Sequence, residues 1–141
     1  MDDTDRKLLA ALSENARWPA AELGRRLGLS RTTVQSRIER LERRGIITGY
    51  TARLSPEHER GAVRAHVMIT VRPKEARAVE AALRGIPEVR VLQTVSGTFD
   101  MIAQMVADST AAMDDLVDAI GALDGVERTT SSIVLSTKFD R

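Results

Sequence analysis

Residues 28–45 read GLSRTTVQSRIERLERRG, and this stretch decides the fold of the first third of the chain. Ser30 is a good helix N-cap and Gly45 a natural C-terminal stop, so the pattern predicts a helix from Arg31 to about Arg44. Apolar residues within it recur at i, i+4 and i+7 and define one buried stripe. The stripe consists of Val34, Ile38 and Leu41.

The opposite face of this predicted helix carries hydroxyls, an amide and guanidiniums, the groups that hydrogen-bond base edges and phosphates. We predict base-edge contacts from the N-terminal half of the helix, by Arg31, Thr32, Thr33, Gln35 and Ser36. We predict phosphate contacts from the arginines Arg26, Arg37, Arg40, Arg43 and Arg44. Its two acids, Glu39 and Glu42, are expected to screen neighbouring arginines. The alternative is a plain three-helix bundle with an Arg-rich surface.

Two shorter helices are predicted upstream. The first is capped by Asp3 or Thr4 and has an apolar face of leucines. The second begins at Pro19, whose missing N–H costs nothing in a first turn, and ends at Gly28. Two short helices joined by Gly-Leu-Ser form a helix-turn-helix, whose second helix can enter the major groove.

Charge is concentrated in this helical part. Residues 1–53 carry 11 basic and 7 acidic side chains, a net +4, and residues 54–141 carry 10 and 13, a net −3, which together give the +1 of the chain. A basic module on a mildly acidic remainder favours an anionic partner for the first part alone. The alternative is an ordinary solvated helix face.

Composition excludes several classes of protein. The absence of cysteine excludes a disulfide scaffold, a thiolate metal site and a cysteine nucleophile, and two histidines are too few for a histidine-rich metal centre. No apolar run reaches the roughly 18–20 residues that span a bilayer. The start, Met1 to Asp5, is acidic where a signal peptide is basic and then apolar. We expect a soluble cytoplasmic protein with no metal and no cofactor.

The second half alternates between strand and helix patterns. We predict a short strand at 46–54 and a polar linker at 55–61. The elements after the linker are a strand at 63–72, a helix at 74–84, strands at 89–95 and 99–106, a helix at 109–123 and a strand at 126–138. This β-α-β-β-α-β order is the ferredoxin-like topology, with both helices on one face of the sheet. The other face offers Met68 and Leu92, and we expect a second subunit to cover it.

Two sets of motifs carry a resemblance to a known family. The first set comprises Asp5-Arg6, Leu9, Leu12, Asn15, Arg17, Glu22-Leu23, Gly28-Leu29-Ser30, Arg37, Arg40-Leu41-Glu42, Gly45-Ile46-Ile47 and Gly49-Tyr50. The second set comprises Val95-Ser96-Gly97-Thr98-Phe99-Asp100 and Gly125-Val126. In this order and at this length, the chain resembles the Lrp/AsnC family of bacterial and archaeal feast/famine transcription regulators over nearly its whole length.

The resemblance implies an α+β fold. It comprises a winged or three-helix helix-turn-helix DNA-binding domain at 1–49, a strand and linker at 50–62, and a ferredoxin-like effector and dimerisation domain of RAM/AsnC type at 63–141. It implies a regulator of imperfectly palindromic duplex DNA that forms dimers, tetramers or octamers. A small molecule, usually an amino acid, would bind between C-terminal domains. Trp18 and Pro19 depart from the family pattern, and we expect packing changes there rather than lost DNA binding.

An amino-acid effector needs N–H or hydroxyl donors for its carboxylate and an anion for its ammonium. Gly97 accepts a positive φ, so the turn around it can present backbone N–H groups, and Asp100 supplies the anion. Thr129 and Ser131 project from one face of the last strand and, by the resemblance, fall where the family has ligand-contacting hydroxyls. The predicted effector site comprises Ser96, Gly97, Thr98, Phe99, Asp100, Met101, Thr129 and Ser131. The alternative is a hairpin turn with a solvated carboxylate.

Two other functions compete with a regulator. Siroheme decarboxylase subunits share this two-part architecture, but the chain shows no nucleophile–base pair and no acid pair, and His66 has no obvious partner. An architectural protein that coats DNA needs only cations, whereas the outward Thr and Gln side chains favour sequence reading. We therefore predict an effector-modulated regulator that is not an enzyme.

Overall fold

The computed structural model describes residues 1–55, 58 and 61–141. The chain divides into two units, Met1–Arg53 and Leu54–Arg141, which we call the helical unit and the sheet unit. Four residues of the predicted linker lie outside the described residues, namely Pro56, Glu57, Glu59 and Arg60.

The helical unit contains three helices: α1 (Asp3–Glu14), α2 (Ala20–Leu27) and α3 (Arg31–Arg43). Their apolar faces meet in a small core of buried side chains. This core comprises Leu8, Leu12, Leu23, Val34 and Leu41. The described residues of this unit include no strand, so the fold is the three-helix form of the helix-turn-helix domain and not the winged form.

The strand predicted at 46–54 is absent, and that prediction is wrong. A strand needs a neighbouring strand to accept and donate its backbone hydrogen bonds. Here the chain folds back on the end of α3 instead, because the N–H groups of Ile46 and Ile47 both donate to the carbonyl of Leu41, at 2.9 and 3.2 Å. Gly45, at φ +67°, makes that reversal possible.

The helix starts differ from the predictions in two of three cases. The N-cap of α1 is Asp2 rather than Asp3 or Thr4, since Asp2 accepts a hydrogen bond from Asp5 N at 2.8 Å and its own N–H donates to the Asp5 carboxylate at 3.2 Å. Pro19 occupies the N-cap of α2, one residue before the first turn. Ser30 caps α3 as predicted, and its Oγ accepts from Thr33 N at 3.1 Å.

The sheet unit confirms the predicted β-α-β-β-α-β order. Its elements are β1 (Val63–Val71), α4 (Ala76–Arg84) after a 3-10 turn at Pro73–Glu75, β2 (Val89–Thr94), β3 (Met101–Ala107), α5 (Thr110–Gly121) and β4 (Val126–Ile133). The four strands form one antiparallel sheet in the order β2-β3-β1-β4. The fold is the predicted ferredoxin-like one.

The inner face of this sheet packs against α4 and α5. Alternate residues of the two central strands are buried there, together with Val79 and Leu83 of α4 and Met113 and Ile120 of α5. The buried strand residues are Ala65, Val67, Ile69 and Val71 of β1 and Met101, Ala103, Met105 and Ala107 of β3.

Two details of the sheet differ from the predictions. Leu92 pairs with Ala103 and packs on the core rather than on the outer face, because a bulge between Val89 and Val91 shifts the register of β2. The last strand ends at Ile133, not at 138, since its pairing with β1 runs out at Ala65, close to where β1 begins.

Candidate functional site

The turn between α2 and α3 is built around two glycines. Gly28 adopts φ +67°, and the N–H of Leu29 donates to the carbonyl of Gly24 at 2.8 Å. A Cβ on Gly24 would lie 2.5 Å from the carbonyl oxygen of Leu29, so only glycine lets the chain pass there. Gly24 is not among the residues predicted from the sequence to matter. The signal was present, because glycine inside a helix is unfavourable by about 1 kcal/mol and needs a packing reason.

The outward face of α3 is exposed, as its periodicity predicts. Its exposed side chains include Arg31, Thr32, Gln35, Ser36, Glu39, Arg43 and Arg44. In the part of the chain that the structure describes, the three arginines Arg31, Arg43 and Arg44 make no ion pair. The face therefore offers hydroxyl, amide and unpaired guanidinium groups together, which suits contact with base edges and phosphates.

Two other residues predicted to contact DNA are engaged within the protein. Thr33 is half-buried, and its Oγ1 lies 2.8 Å from the Oγ of Ser30 at the cap of α3. The guanidinium of Arg26 lies 3.9 Å from the centroid of the Trp18 ring, and its Nε lies 3.3 Å from Glu22 Oε1. Trp18, which departs from the family pattern, thus packs against an arginine of α2.

The guanidiniums of Arg37 and Arg40 are hydrogen-bonded to carboxylates at the start of α1. Arg37 Nη1 donates to Asp5 Oδ1 at 2.7 Å and to both Asp2 oxygens at 2.9 and 2.8 Å. Arg40 Nη2 donates to both Asp5 oxygens at 3.0 Å. The hydrogen bonds from Arg37 hold the pKa values of both carboxyls below their usual range, with further lowering by the Arg40 charge.

The screening of arginines by the two acids of α3 stays a prediction, and neither acid forms an ion pair with an arginine among the described residues. Glu39 is exposed on the outward face. Glu42 accepts a hydrogen bond from the Tyr50 hydroxyl at 2.9 Å. Partial burial, followed by this hydrogen bond and the Glu42 charge, raises the pKa of Tyr50.

The predicted effector turn lies between β2 and β3. Ser96, Gly97 and Thr98 are exposed, with Gly97 at φ +104°, and Phe99 is half-buried. The Asp100 carboxylate accepts a hydrogen bond from Val71 N at 2.9 Å through Oδ2. This bond ties the turn to the end of β1 and leaves Oδ1 as the oxygen available to a ligand.

The other predicted effector residues lie along the neighbouring strands. Ile69 of β1 pairs with Met101 on one side and with Thr129 on the other, so these two residues are about 10 Å apart, two strand spacings. Met101 is only 3% exposed and belongs to the core. Thr129 is half-buried and Ser131 is exposed, and they pair with Ile69 and Val67 on the same face of the sheet.

No helix in the described ranges is long and apolar enough to cross a membrane. Within the same ranges, no three His, Asp or Glu side chains are grouped so that they could hold a metal ion.

Two family models match the chain and together cover most of it. The AsnC-type helix-turn-helix domain matches residues 1–42. The Lrp/AsnC ligand binding domain matches residues 64–141.

Similar proteins share nearly the whole length of the chain. The transcriptional regulator LrpA of Mycobacterium tuberculosis is 38% identical over 140 residues, which is 99% of this chain and 93% of LrpA. A feast or famine regulatory protein of the same organism, solved in complex with L-methionine, is 37% identical with a TM-score of 0.88, covering 99% of this chain and 95% of that one. A transcriptional regulator of Neisseria meningitidis, solved as an L-Met complex, is 33% identical with a TM-score of 0.88, covering 99% and 93%.

Proposed function

The chain belongs to the Lrp/AsnC family of helix-turn-helix transcriptional regulators, and on this premise we propose that α3 reads duplex DNA while an amino acid bound at the sheet unit modulates that binding. In this proposal DNA binding belongs to residues 1–49, a linker to 50–62, and effector binding and oligomerisation to 63–141. The enzyme alternative is set aside, because the relatives are named as transcriptional regulators.

The proposal that the protein binds DNA rests on one observation, the exposed outward face of α3. Arg31, Thr32, Gln35 and Ser36 are exposed in its N-terminal half, which is the end that contacts base edges in a helix-turn-helix. Arg43 and Arg44 are exposed near its C-terminal end and suit phosphates, as does Arg26 beside the turn. Thr33 contacts DNA only if its hydroxyl is shared with Ser30.

The proposal that an amino acid binds the sheet unit rests on the hydrogen-bond donors and the carboxylate around the turn at 96–100. Backbone N–H groups of Ser96, Gly97 and Thr98 suit the effector carboxylate, and Asp100 Oδ1 suits its ammonium. Hydroxyls of Thr129 and Ser131 add acceptors and donors, and Phe99 borders the side chain, whereas Met101 is buried in the core. Two relatives solved with L-methionine support an amino acid with an apolar side chain.

The outer face of the sheet supports self-association. It carries the partly exposed apolar side chains Met68, Ile102, Val106 and Val91. A second copy that covers this face would remove apolar surface from water, so the proposal includes a homodimer that assembles into a tetramer or octamer on an imperfect palindrome. It places the protein in the cytoplasm with the DNA that it regulates.

Selection of bound duplexes from a randomised library, with and without a panel of amino acids that includes L-methionine, tests this proposal. We expect one enriched imperfect palindrome and a change in its affinity with at least one amino acid. Enrichment without sequence preference would instead support the architectural alternative. Calorimetry with Asp100→Ala, compared with Asp108→Ala as an exposed control, checks the effector site, and full-strength binding by Asp100→Ala would contradict it.

A further inference from the structure

Asp5 is the one buried charged side chain in the described part of the chain, at 1% exposure. A carboxylate taken out of water is costly unless charged partners and hydrogen bonds compensate. Its capping partner Asp2 supplies a backbone N–H. The remaining hydrogen bonds to its oxygens come from α3, through Arg37 and Arg40.

These contacts form a cluster of four charges, Asp2, Asp5, Arg37 and Arg40, which we call the aspartate clamp. Its residues join the start of α1 to the middle of α3, across more than thirty residues of sequence. Two carboxylates balance two guanidiniums, so the clamp carries no net charge. The Arg37 side chain is 21% exposed, and the Arg40 side chain is 45% exposed.

The capping of α1 does not require the clamp. The capping box consists of the two backbone bonds between Asp2 and Asp5, and it would be complete with Asn or Ser at the cap. The guanidiniums instead fix how α3 is rotated about its axis and how far it lies from α1. That placement determines where Arg31, Gln35 and Ser36 stand when the helix meets a groove.

We propose that Asp5 is a positioning residue for the DNA-reading helix, and that Arg37 and Arg40 orient α3 rather than neutralise DNA phosphates. This inference rests on the proposed function and changes the role predicted for the two arginines from the sequence. The phosphate contacts then come from the unpaired arginines, Arg43 and Arg44 above all. Carboxylate oxygens of Asp2 and Asp5 already accept hydrogen bonds from Nη1 of Arg37.

The salt dependence of duplex binding tests which arginines meet phosphates. We would measure log K against log salt on poly(dI-dC) and on the duplex selected by the unaltered protein. Each phosphate neutralised contributes a slope of about −0.9. We expect Arg43→Gln to reduce the magnitude of this slope by about 0.9, the contribution of one phosphate. The charge-neutral double variant D2N/R37Q, which leaves the Asp5–Arg40 pair in place, should leave the slope unchanged, and a loss of about 0.9 from the magnitude of its slope would overturn the proposal.

Single Asp5→Asn tests positioning, because it removes the carboxylate that Arg37 and Arg40 share and leaves Arg40 without its carboxylate partner. We expect the ratio of specific to non-specific affinity to fall about tenfold, the value of one lost base contact. We also expect a steeper salt slope, since the freed Arg40 guanidinium becomes available to phosphates. An unchanged ratio and slope in folded protein would mean that Asp5 only stabilises the fold, and would overturn the proposal.

Arg37→Lys keeps the test valid if the Asp5→Asn variant does not fold by circular dichroism. Lysine retains the charge and binds phosphate, but it lacks the planar fork that reaches Asp2 and Asp5 together. A positioning role predicts a lower specific to non-specific ratio with an unchanged slope, whereas an unchanged ratio would overturn it. If the unaltered protein selects no duplex, the proposed function itself fails, which is a distinct result.

Discussion

The helical and sheet units differ in what lies at their centres. The sheet unit has a core of twelve buried apolar side chains, and the described residues place no charged side chain among them. The helical unit has five buried apolar side chains and a buried carboxylate that joins two of its helices. A small core supplies little burial, so the placement of α3 depends on charge pairing as well as on packing. We therefore expect the geometry of the helical unit, more than that of the sheet unit, to respond to salt and pH.

The largest loss of stability should come from a substitution in the small apolar core of the helical unit. Leu41 is fully buried on α3, and Leu41→Ala should cost about 2–5 kcal/mol, enough to unfold the helical unit while the sheet unit stays folded. Trp18, the chain's one tryptophan, lies in the helical unit and reports its unfolding by fluorescence in urea. Leu135→Ala, at a side chain that is 94% exposed, is the matched control and should change nothing. Simultaneous loss of both units would contradict the comparison.

One glycine in each unit gives the next prediction. Gly24→Ala places a Cβ 2.5 Å from a backbone oxygen and should destabilise the helical unit by about 1–3 kcal/mol. Gly121→Ala, at the end of α5, meets only the Thr129 hydroxyl at 3.9 Å and should be neutral or stabilise the sheet unit by about 0.4–1 kcal/mol. Urea unfolding of both variants measures the change in the free energy of unfolding. Equal changes in the two variants would show that the turn between α2 and α3 tolerates a side chain at residue 24.

Acid should loosen the helical unit first. Because the folded pKa values of Asp2 and Asp5 lie below the usual 3.8, their stabilising contribution is complete above that value and is lost as pH falls through the lowered folded values. Trp18 fluorescence during an acid titration measures this loss of stability. In Asp5→Asn the Asp5 share of this pH dependence should be absent while the Asp2 share remains, and a curve identical to that of the unaltered protein would contradict the clamp.

The smallest effect should come from Glu39. This carboxylate is exposed on the outward face of α3 and would stand near the phosphates of a bound duplex. Glu39→Gln removes a surface repulsion worth at most about 1 kcal/mol, so affinity for poly(dI-dC) should rise about two- to fivefold. Glu80→Gln in the sheet unit is the control, and an equal rise there would reflect net charge alone.

Features that depend on residues close together in the sequence could be predicted from it. The stripe of α3 and its caps Ser30 and Gly45 follow from periodicity and capping, and the strand order follows from alternation. The clamp depends on a pairing between Asp5 and Arg37 that no short window contains. The bulge that moves Leu92 onto the core and the fold-back that replaces the strand at 46–54 depend on hydrogen bonds to other elements.

The helix and strands that carry the predicted site residues form as predicted, but the hydrogen bonds that these residues make within the protein could not be seen in the sequence. Periodicity places Arg37 near the edge of the outward face, and only the structure shows two carboxylates on it. Asp100 likewise looks like a free anion in the sequence, whereas its Oδ2 already accepts from the backbone of Val71.

The proposed function depends above all on contact between the outward face of α3 and duplex DNA. The salt dependence of poly(dI-dC) binding by R43Q/R44Q, measured beside R77Q/R90Q with two exposed arginines of the sheet unit replaced, tests it most directly. We expect the magnitude of the slope to fall by about 1.8 for the α3 pair, two phosphates at about 0.9 each, and to stay unchanged for the control pair. Equal slopes for both double variants and the unaltered protein would contradict it.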